Sequence, residues 1–227
     1  WSDKPKIVIV IDDLGLDRPR TRRTMALPGP LTLSFLAYAD DLAHQTQNAH
    51  AAGHELMLHV PMEPGAGNID PGPNVLLTGM SKDELLKSLR WNLDQMQGYV
   101  GINNHMGSRF TADSDAMQIV VGELRRRGLL FLDSVTSGKS VAHNMARDAG
   151  IPFAIRNVFL DHDDDEAAIR RQLNQVERIA RQTGLAIAIG HPREKTLNVL
   201  DTWLKSVAGK GFQLVPVSAV ARVAAQG

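Results

Sequence analysis

Ile7-Val8-Ile9-Val10-Ile11-Asp12-Asp13-Leu14-Gly15 is the stretch that decides the fold. Five β-branched residues in a row suit a strand buried on both faces, as in a parallel sheet. The run then ends abruptly in two carboxylates. Similar short apolar runs recur at residues 31–35, 55–60, 129–132, 185–189 and 212–215, with weaker ones at 99–102 and 152–155. Between them the period changes to that of helices. Leu86, Leu89, Leu93 and Met96 form one stripe, opened by Ser81 and Glu84 in a Ser-x-x-Glu capping box. Ile169, Leu173, Val176 and Ala180 form a second, stopped by Gly184. Leu197, Leu200, Leu204 and Val207 form a third. Ile119, Val120 and Leu124 lead into Arg125-Arg126-Arg127 and Gly128, which reads as a solvated helix C-terminus.

Strands alternating with helices imply βαβ units and parallel pairing. Seven or eight such units in 227 residues suit one barrel-like α/β domain over residues 1–227 better than two domains. Residues 61–79, with Pro-Gly-Ala-Gly and Asp-Pro-Gly-Pro, form a long turn-rich loop directly after a strand, and such loops are often functional.

Composition narrows the chemistry. Lys and Arg number 25, Asp and Glu number 25, so no bulk field favours nucleic acid. There is no Cys, which excludes disulfides, thiol nucleophiles and thiolate metal sites. No stretch approaches the ~18–20 apolar residues of a membrane span.

In parallel α/β folds ligands bind at the C-terminal strand ends. Asp12-Asp13, His59 followed by Glu63, Asn103-Asn104-His105, Asp133-Ser134 and Gly190-His191 all follow strand runs. The segment after residue 152 reaches Asn157 and Asp161. Two adjacent carboxylates repel unless a cation or proton is shared between them. Without Cys, a metal site here is built from imidazole and carboxylate, and two His plus one carboxylate with an open position suits hydrolytic Zn²⁺ or non-haem Fe.

Simpler readings cover the remaining residues. Taken alone, Asp12-Asp13 reads as a helix N-cap pair, and a single strand-end His as structural. His44, His50, His143 and His162 read as structural. His50 and His54 have the spacing of a helical metal pair, but Gly53 lies between them where a strand begins. Residues 136–140 end like a phosphate-binding loop, yet Asp133 stands where its first Gly is required. The acidic run 161–166 reads as a helix N-terminus. Trp91 and Trp203 lie in or beside helical stripes and are expected to pack.

These residues resemble the polysaccharide deacetylase superfamily, most closely its divergent second family. Ile11-Asp12-Asp13-Leu14-Gly15 is similar to the opening Asp-Asp-Gly motif. Residues 53–63, Gly-His-Glu-Leu-Met-Leu-His-Val-Pro-Met-Glu, are similar to the second motif, where other members carry His-x3-His and this chain carries His59 and Glu63. Residues 101–111, Gly-Ile-Asn-Asn-His-Met-Gly-Ser-Arg-Phe-Thr, are characteristic of the divergent family. Ala188-Ile-Gly-His191 is similar to the last motif. The resemblance implies a deformed (β/α) barrel of about seven strands and metal-dependent deacetylation of an N-acetylated sugar in a polysaccharide or envelope glycan. It implies Asp12 as base, His191 as general acid, and Asp133 as the group orienting His191. Asp13, His59 and His105 would hold a divalent metal, Zn²⁺ foremost, with the second slot open between Glu63 and His105. Glu63, Asn104 and Arg109 would line the site, and Arg109 with loop 61–79 would read the substrate. Family and the non-Met start imply a periplasmic or secreted protein, with a cytoplasmic one still compatible. The departure at Glu63 also fits a non-catalytic glycan- or protein-binding module, and a hydrolase of another acyl substrate is a third reading.

Overall fold

The computed structural model describes residues 3–65, 67 and 69–222. Among these residues nine strands form one sheet in which every pairing between strands is parallel. They are β1 (Lys6–Leu14), β2 (Thr32–Leu36), β3 (Glu55–Met62), β4 (Gly101–Met106), β5 (Leu130–Asp133), β6 (Phe153–Ile155), β7 (Val158–Phe159), β8 (Leu185–Gly190) and β9 (Gln213–Leu214). The order along the sheet is β6-β5-β4-β3-β2-β1-β8-β7. β9 pairs Lys6 and Ile7 of β1, whereas β2 joins β1 from Val10 onward. The sheet curls into a (β/α) barrel left open between β6 and β7. Seven helices connect the strands: α1 (Arg18–Met25), α2 (Leu42–Ala51), α3 (Lys82–Leu93), α4 (Ser114–Arg127), α5 (Ala142–Asp148), α6 (Glu166–Thr183) and α7 (Glu194–Leu204).

Alternation along each strand sorts side chains into two layers. Val8, Val10, Met57, Leu130, Leu132, Ile187 and Ile189 fill the barrel interior, with Val215 and Val217. Ile7, Ile9, Ile11, Leu58, Ile102, Phe131 and Ala188 face outward and pack on helix residues such as Leu89, Leu124, Ile169, Leu173 and Leu200. Both faces of β1 are therefore buried, which is why its sequence is continuously apolar rather than alternating. This parity also decides which strand-end polar groups reach the barrel mouth.

The helices start and stop as their sequences dictate. Ser81 and Glu84 form a complete capping box on α3. Asp17, Asp113 and Asp165 each accept a backbone N–H in the first turn of α1, α4 and α6. Gly128 and Gly184 close α4 and α6 at φ +70° and +87°. The basic end of α4 is more than a solvated terminus. Arg126 and Arg127, with Arg90 of α3, surround the buried Glu123 and hold its carboxyl down to about 2, chiefly through the Arg126 hydrogen bonds.

His54 is structural, and its partners say why. The ring lies between the backbone N–H of Leu31, which donates to Nδ1 at 3.1 Å, and the Met25 carbonyl, 2.9 Å from Nε2. Burial holds its pKa below 6.5, so it stays neutral and ties β3 to the loop before β2. A side chain at Gly29 would collide with this ring, since a Cβ there falls 2.6 Å from Cε1.

Candidate metal centre

Strands β1, β3, β4 and β8 bring their last residues to the barrel mouth. Inward parity carries Asp12, His59, Asn103, His105 and Ser134, continuing the interior rows through Val10, Met57 and Leu132. Asp13 has outward parity, but its backbone sits at φ +59°, a left-handed conformation uncommon outside glycine. The β1–β2 register shifts between Ile11 and Leu14 at the same place. This irregularity brings Asp13 into the mouth beside its neighbour.

Asp13, His59 and His105 converge. Asp13 Oδ1 lies 3.1 Å from His59 Nε2 and 3.1 Å from His105 Nδ1, and the two ring nitrogens are 3.2 Å apart. Donor atoms around a tetrahedral ion at about 2.0–2.1 Å stand roughly 3.3 Å apart. Asp13 Oδ1 is buried and receives no hydrogen bond of acceptable geometry. An orphaned carboxylate oxygen facing two ring nitrogens is what a divalent cation would satisfy, so the donor set fits such an ion. The third donor comes from His105 on the neighbouring strand β4, rather than from residue 63.

A shell of hydrogen bonds fixes these donors. Asn103 Oδ1 accepts from His59 Nδ1 at 2.8 Å and from Ser34 Oγ at 2.5 Å. Its amide nitrogen donates to Asp12 Oδ1 at 2.8 Å. The amide orientation follows from the network, since a carboxylate can only accept. With its proton on Nδ1, His59 presents the Nε2 lone pair to Asp13. Burial alone would lower the His59 pKa, but the charges of Asp12 and Asp13, the close approach of Asp13 and the bond to Asn103 push it up to about 9. Burial opposes ionisation of Asp13 too, yet the two imidazoles hold its carboxyl far below the usual range. The cluster thus attracts positive charge, whether protons or a metal ion. Asp12 is buried, with its pKa raised by that burial, and its Oδ2 lies 3.7 Å from His59 Nε2.

His191 approaches from β8, with Nε2 3.9 Å from Asp13 Oδ2. Its Nδ1 is held at 2.8 Å by Asp161 Oδ1, while Asp161 Oδ2 accepts from the His191 backbone N–H and from Thr196 Oγ1, both at 2.7 Å. Burial depresses the His191 pKa, but Asp161 outweighs it and raises the net value.

Asp161 corrects two expectations. It belongs to the acidic run taken as a helix N-terminus, but the residue that caps α6 is Asp165. It also occupies the orienting position expected of Asp133. Asp133 has outward parity with Phe131, so its carboxylate turns into the helix layer. There it accepts from Ser140 Oγ at 2.8 Å and contacts His143 Nδ1 at 2.7 Å. Of the flanking residues, Asn104 is a backbone staple. Its Oδ1 accepts from Ser134 N and its amide donates to the Met106 carbonyl. Glu63 is engaged away from the cluster. Oε2 accepts from Thr78 N and Oγ1, both at 2.8 Å, and Oε1 pairs with the exposed Arg109 at 3.3 Å. Its backbone carbonyl accepts from Arg109 N and Phe110 N. Glu63 therefore fastens loop 61–79 to the turn after β4.

A sequence profile of the divergent polysaccharide deacetylases matches residues 9–221. The chain belongs to this family. Among curated relatives of this divergent polysaccharide deacetylase is the uncharacterized protein YibQ of Escherichia coli K12, 38% identical over 86% of the chain. The chain spans only 61% of YibQ. A crystal structure of an uncharacterized protein from Agrobacterium tumefaciens superposes with a TM-score of 0.93 at 33% identity, covering 97% of this chain and 91% of that one. The fold extends to the catalytic domain of a peptidoglycan N-acetylglucosamine deacetylase from Eubacterium rectale, with TM-score 0.59, 13% identity and coverage of 97% and 92%. It also extends to a Bacillus anthracis pseudoenzyme, with TM-score 0.54, 13% identity and coverage of 97% and 66%. The barrel alone therefore does not settle activity. Among the described residues no helix is long and apolar enough to cross a membrane.

Proposed function

We propose that this chain is a metal-dependent hydrolase that removes an acetyl group from an N-acetylated sugar of a polysaccharide or envelope glycan, in the periplasm or outside the cell. One observation carries this reading. Three converging donor atoms, on Asp13, His59 and His105, stand in one mouth with a buried carboxylate, Asp12, and a carboxylate-backed imidazole, His191.

When bound, a divalent ion, Zn²⁺ foremost, would polarise the acyl carbonyl and make water more acidic. The remaining work belongs to the side chains. Asp12 Oδ2 takes a proton from the attacking water, and its burial-raised pKa makes it a stronger base than a solvated carboxylate. Asn103 pins the other oxygen of Asp12, so the basic one stays aimed at the mouth. His191, whose protonated form Asp161 favours, delivers a proton from Nε2 to the departing amine. A buried carboxylate base and a carboxylate-backed imidazole acid in one cleft match general acid–base hydrolysis.

Release of acetate from N-acetylated oligosaccharides by the zinc-loaded protein tests the proposal. Turnover is expected, and His191→Ala should lower it by about 10²–10⁴-fold while leaving bound zinc unchanged. Acetate release by neither protein from chitin or peptidoglycan fragments would refute it.

A further inference from the structure

The barrel is open where β6 and β7 fail to pair, and at its catalytic end this seam widens into a cleft of about 450 Å³. Arg156, Phe159, His162, Arg171, Gln172 and Gln175 are among the residues lining it. The volume is in the range of small-molecule sites. No carboxylate lines this cleft, whereas the neighbouring one beside α7 carries Asp164, Glu166 and Glu194.

The cations here are not neutralised. Arg156 is half-buried, with its guanidinium 3.7 Å over the Phe159 ring. It donates to the carbonyls of Ser134 at 2.8 Å and Val135 at 3.0 Å. Among the described residues it forms no ion pair, and these two bonds leave part of its five-donor fork unused. Arg171 and His162 have no hydrogen-bond or ion-pair partner among the described residues. Of the acidic neighbours of His162, the exposed Asp163 does not line the cleft, and the others are engaged elsewhere. Asp161 holds His191, Asp164 lines the α7 cleft and Asp165 caps α6. The Asp133 carboxylate acts on Arg156 without forming an ion pair and is already held by Ser140 and His143, so this partly desolvated guanidinium can still be completed by an anion.

Two links run from the cleft lining to the reaction centre. Ser134, whose carbonyl Arg156 grips, accepts at Oγ from the Asn103 amide that holds Asp12. His162 follows directly on Asp161. We propose that this seam cleft is a subsite for an acidic sugar, binding the carboxylate of a residue next to the one deacetylated. The inference rests on the proposed function, and it deepens it by naming the substrate class as a carboxylate-bearing glycan. Arg171 and Arg156 pair with the carboxylate, and the amides of Gln172 and Gln175 bond to hydroxyls.

The test uses zinc-loaded protein, wild type and Arg171→Gln, an exposed substitution that touches none of the reacting groups. Binding of N-acetylmuramic acid, N-acetylglucosamine and inorganic phosphate is measured by titration, alongside acetate release from oligosaccharides with and without carboxylates. The carboxylated sugar should bind more tightly than the neutral one, and Arg171→Gln should weaken it about five- to tenfold, raising KM for acidic substrates with little change in kcat. The neutral sugar should not respond to the substitution. Equal affinity for both sugars, or an unchanged Arg171→Gln, overturns the subsite, and acetate release from both substrates would then leave the hydrolase reading standing. Arg171-dependent binding of the acidic sugar without any acetate release would instead sustain the subsite and remove the hydrolase. Phosphate binding as tightly as the sugar acid, with the same Arg171 dependence, overturns the sugar assignment in favour of a plain anion site.

Discussion

Asp12→Asn is expected to retain the metal and lose turnover by about 10²–10⁴-fold. The substitution is nearly isosteric, and the network dictates how the new amide sits. Asn103 donates to Oδ1 of residue 12, so an oxygen must remain there and the new NH₂ occupies the position facing the mouth. That group donates where a base must accept, and it cannot take a proton from water. Asp13, His59 and His105 keep their places, so zinc content should equal that of the parent. Parent-like turnover in Asp12→Asn would remove Asp12 as the base. Equal loss of zinc and turnover would make it a ligand instead.

The second large effect is expected at Asp161. Its Oδ2 already accepts two protons, from the His191 backbone and from Thr196. In Asp161→Asn the amide oxygen must stay with those two donors, which turns the NH₂ toward His191 Nδ1. Nδ1 then has to accept, so the imidazolium form is no longer stabilised. Turnover should fall by up to about 10⁴-fold, as when a histidine-orienting carboxylate is made neutral. The sign of the pH effect follows from the same contact. Asp161 raises the His191 pKa, so removing its charge moves the alkaline limb of the rate profile to lower pH. Zinc content should not change, because the donor atoms of the cluster are untouched. A rate and pH profile identical to the parent would show that Asp161 does not act through His191.

How much of this was legible in the sequence depends on what kind of signal each residue left. The Ile7–Ile11 run announced a buried parallel strand, and the βα repetition announced the barrel, because burial on both faces forces continuous apolar sequence. Helices α1, α2 and α5 were not visible. Their buried faces are made of Thr21 and Thr24, of Leu42, Gln45, Thr46 and Ala49, and of Ala142 and Ala146, so no repeating apolar stripe marks them. β7 is two residues long and lies below any periodicity. Asp12, His59, His105 and His191 were all picked out as strand-end polar groups, and the structure gathers them in one mouth. Strand-end position alone misplaces Asp133; counting in twos along Leu130, Leu132 and Ser134 puts Asp133 on the other face. Asp13 breaks that same rule, since a left-handed residue at a register shift is not encoded in alternation. Asp161 was hidden by its neighbours, because an acidic run satisfies a helix N-terminus equally well whichever Asp does the capping. Asn103, which holds both His59 and Asp12, carries no charge and gave no signal beyond its inward parity.

The central claim is that Asp13, His59 and His105 together bind one divalent ion. It is tested most directly by titrating zinc into chelator-stripped protein while following bound metal and melting temperature. Wild type and His191→Ala should each take up one equivalent. At free zinc a hundredfold above Kd, stability should rise by about 2.7 kcal/mol, a shift of roughly 5–10 °C for a domain of this size. His105→Ala should show neither the uptake nor the shift. Zinc uptake by His105→Ala equal to that of wild type, or no uptake and no shift in wild type itself, would contradict the claim.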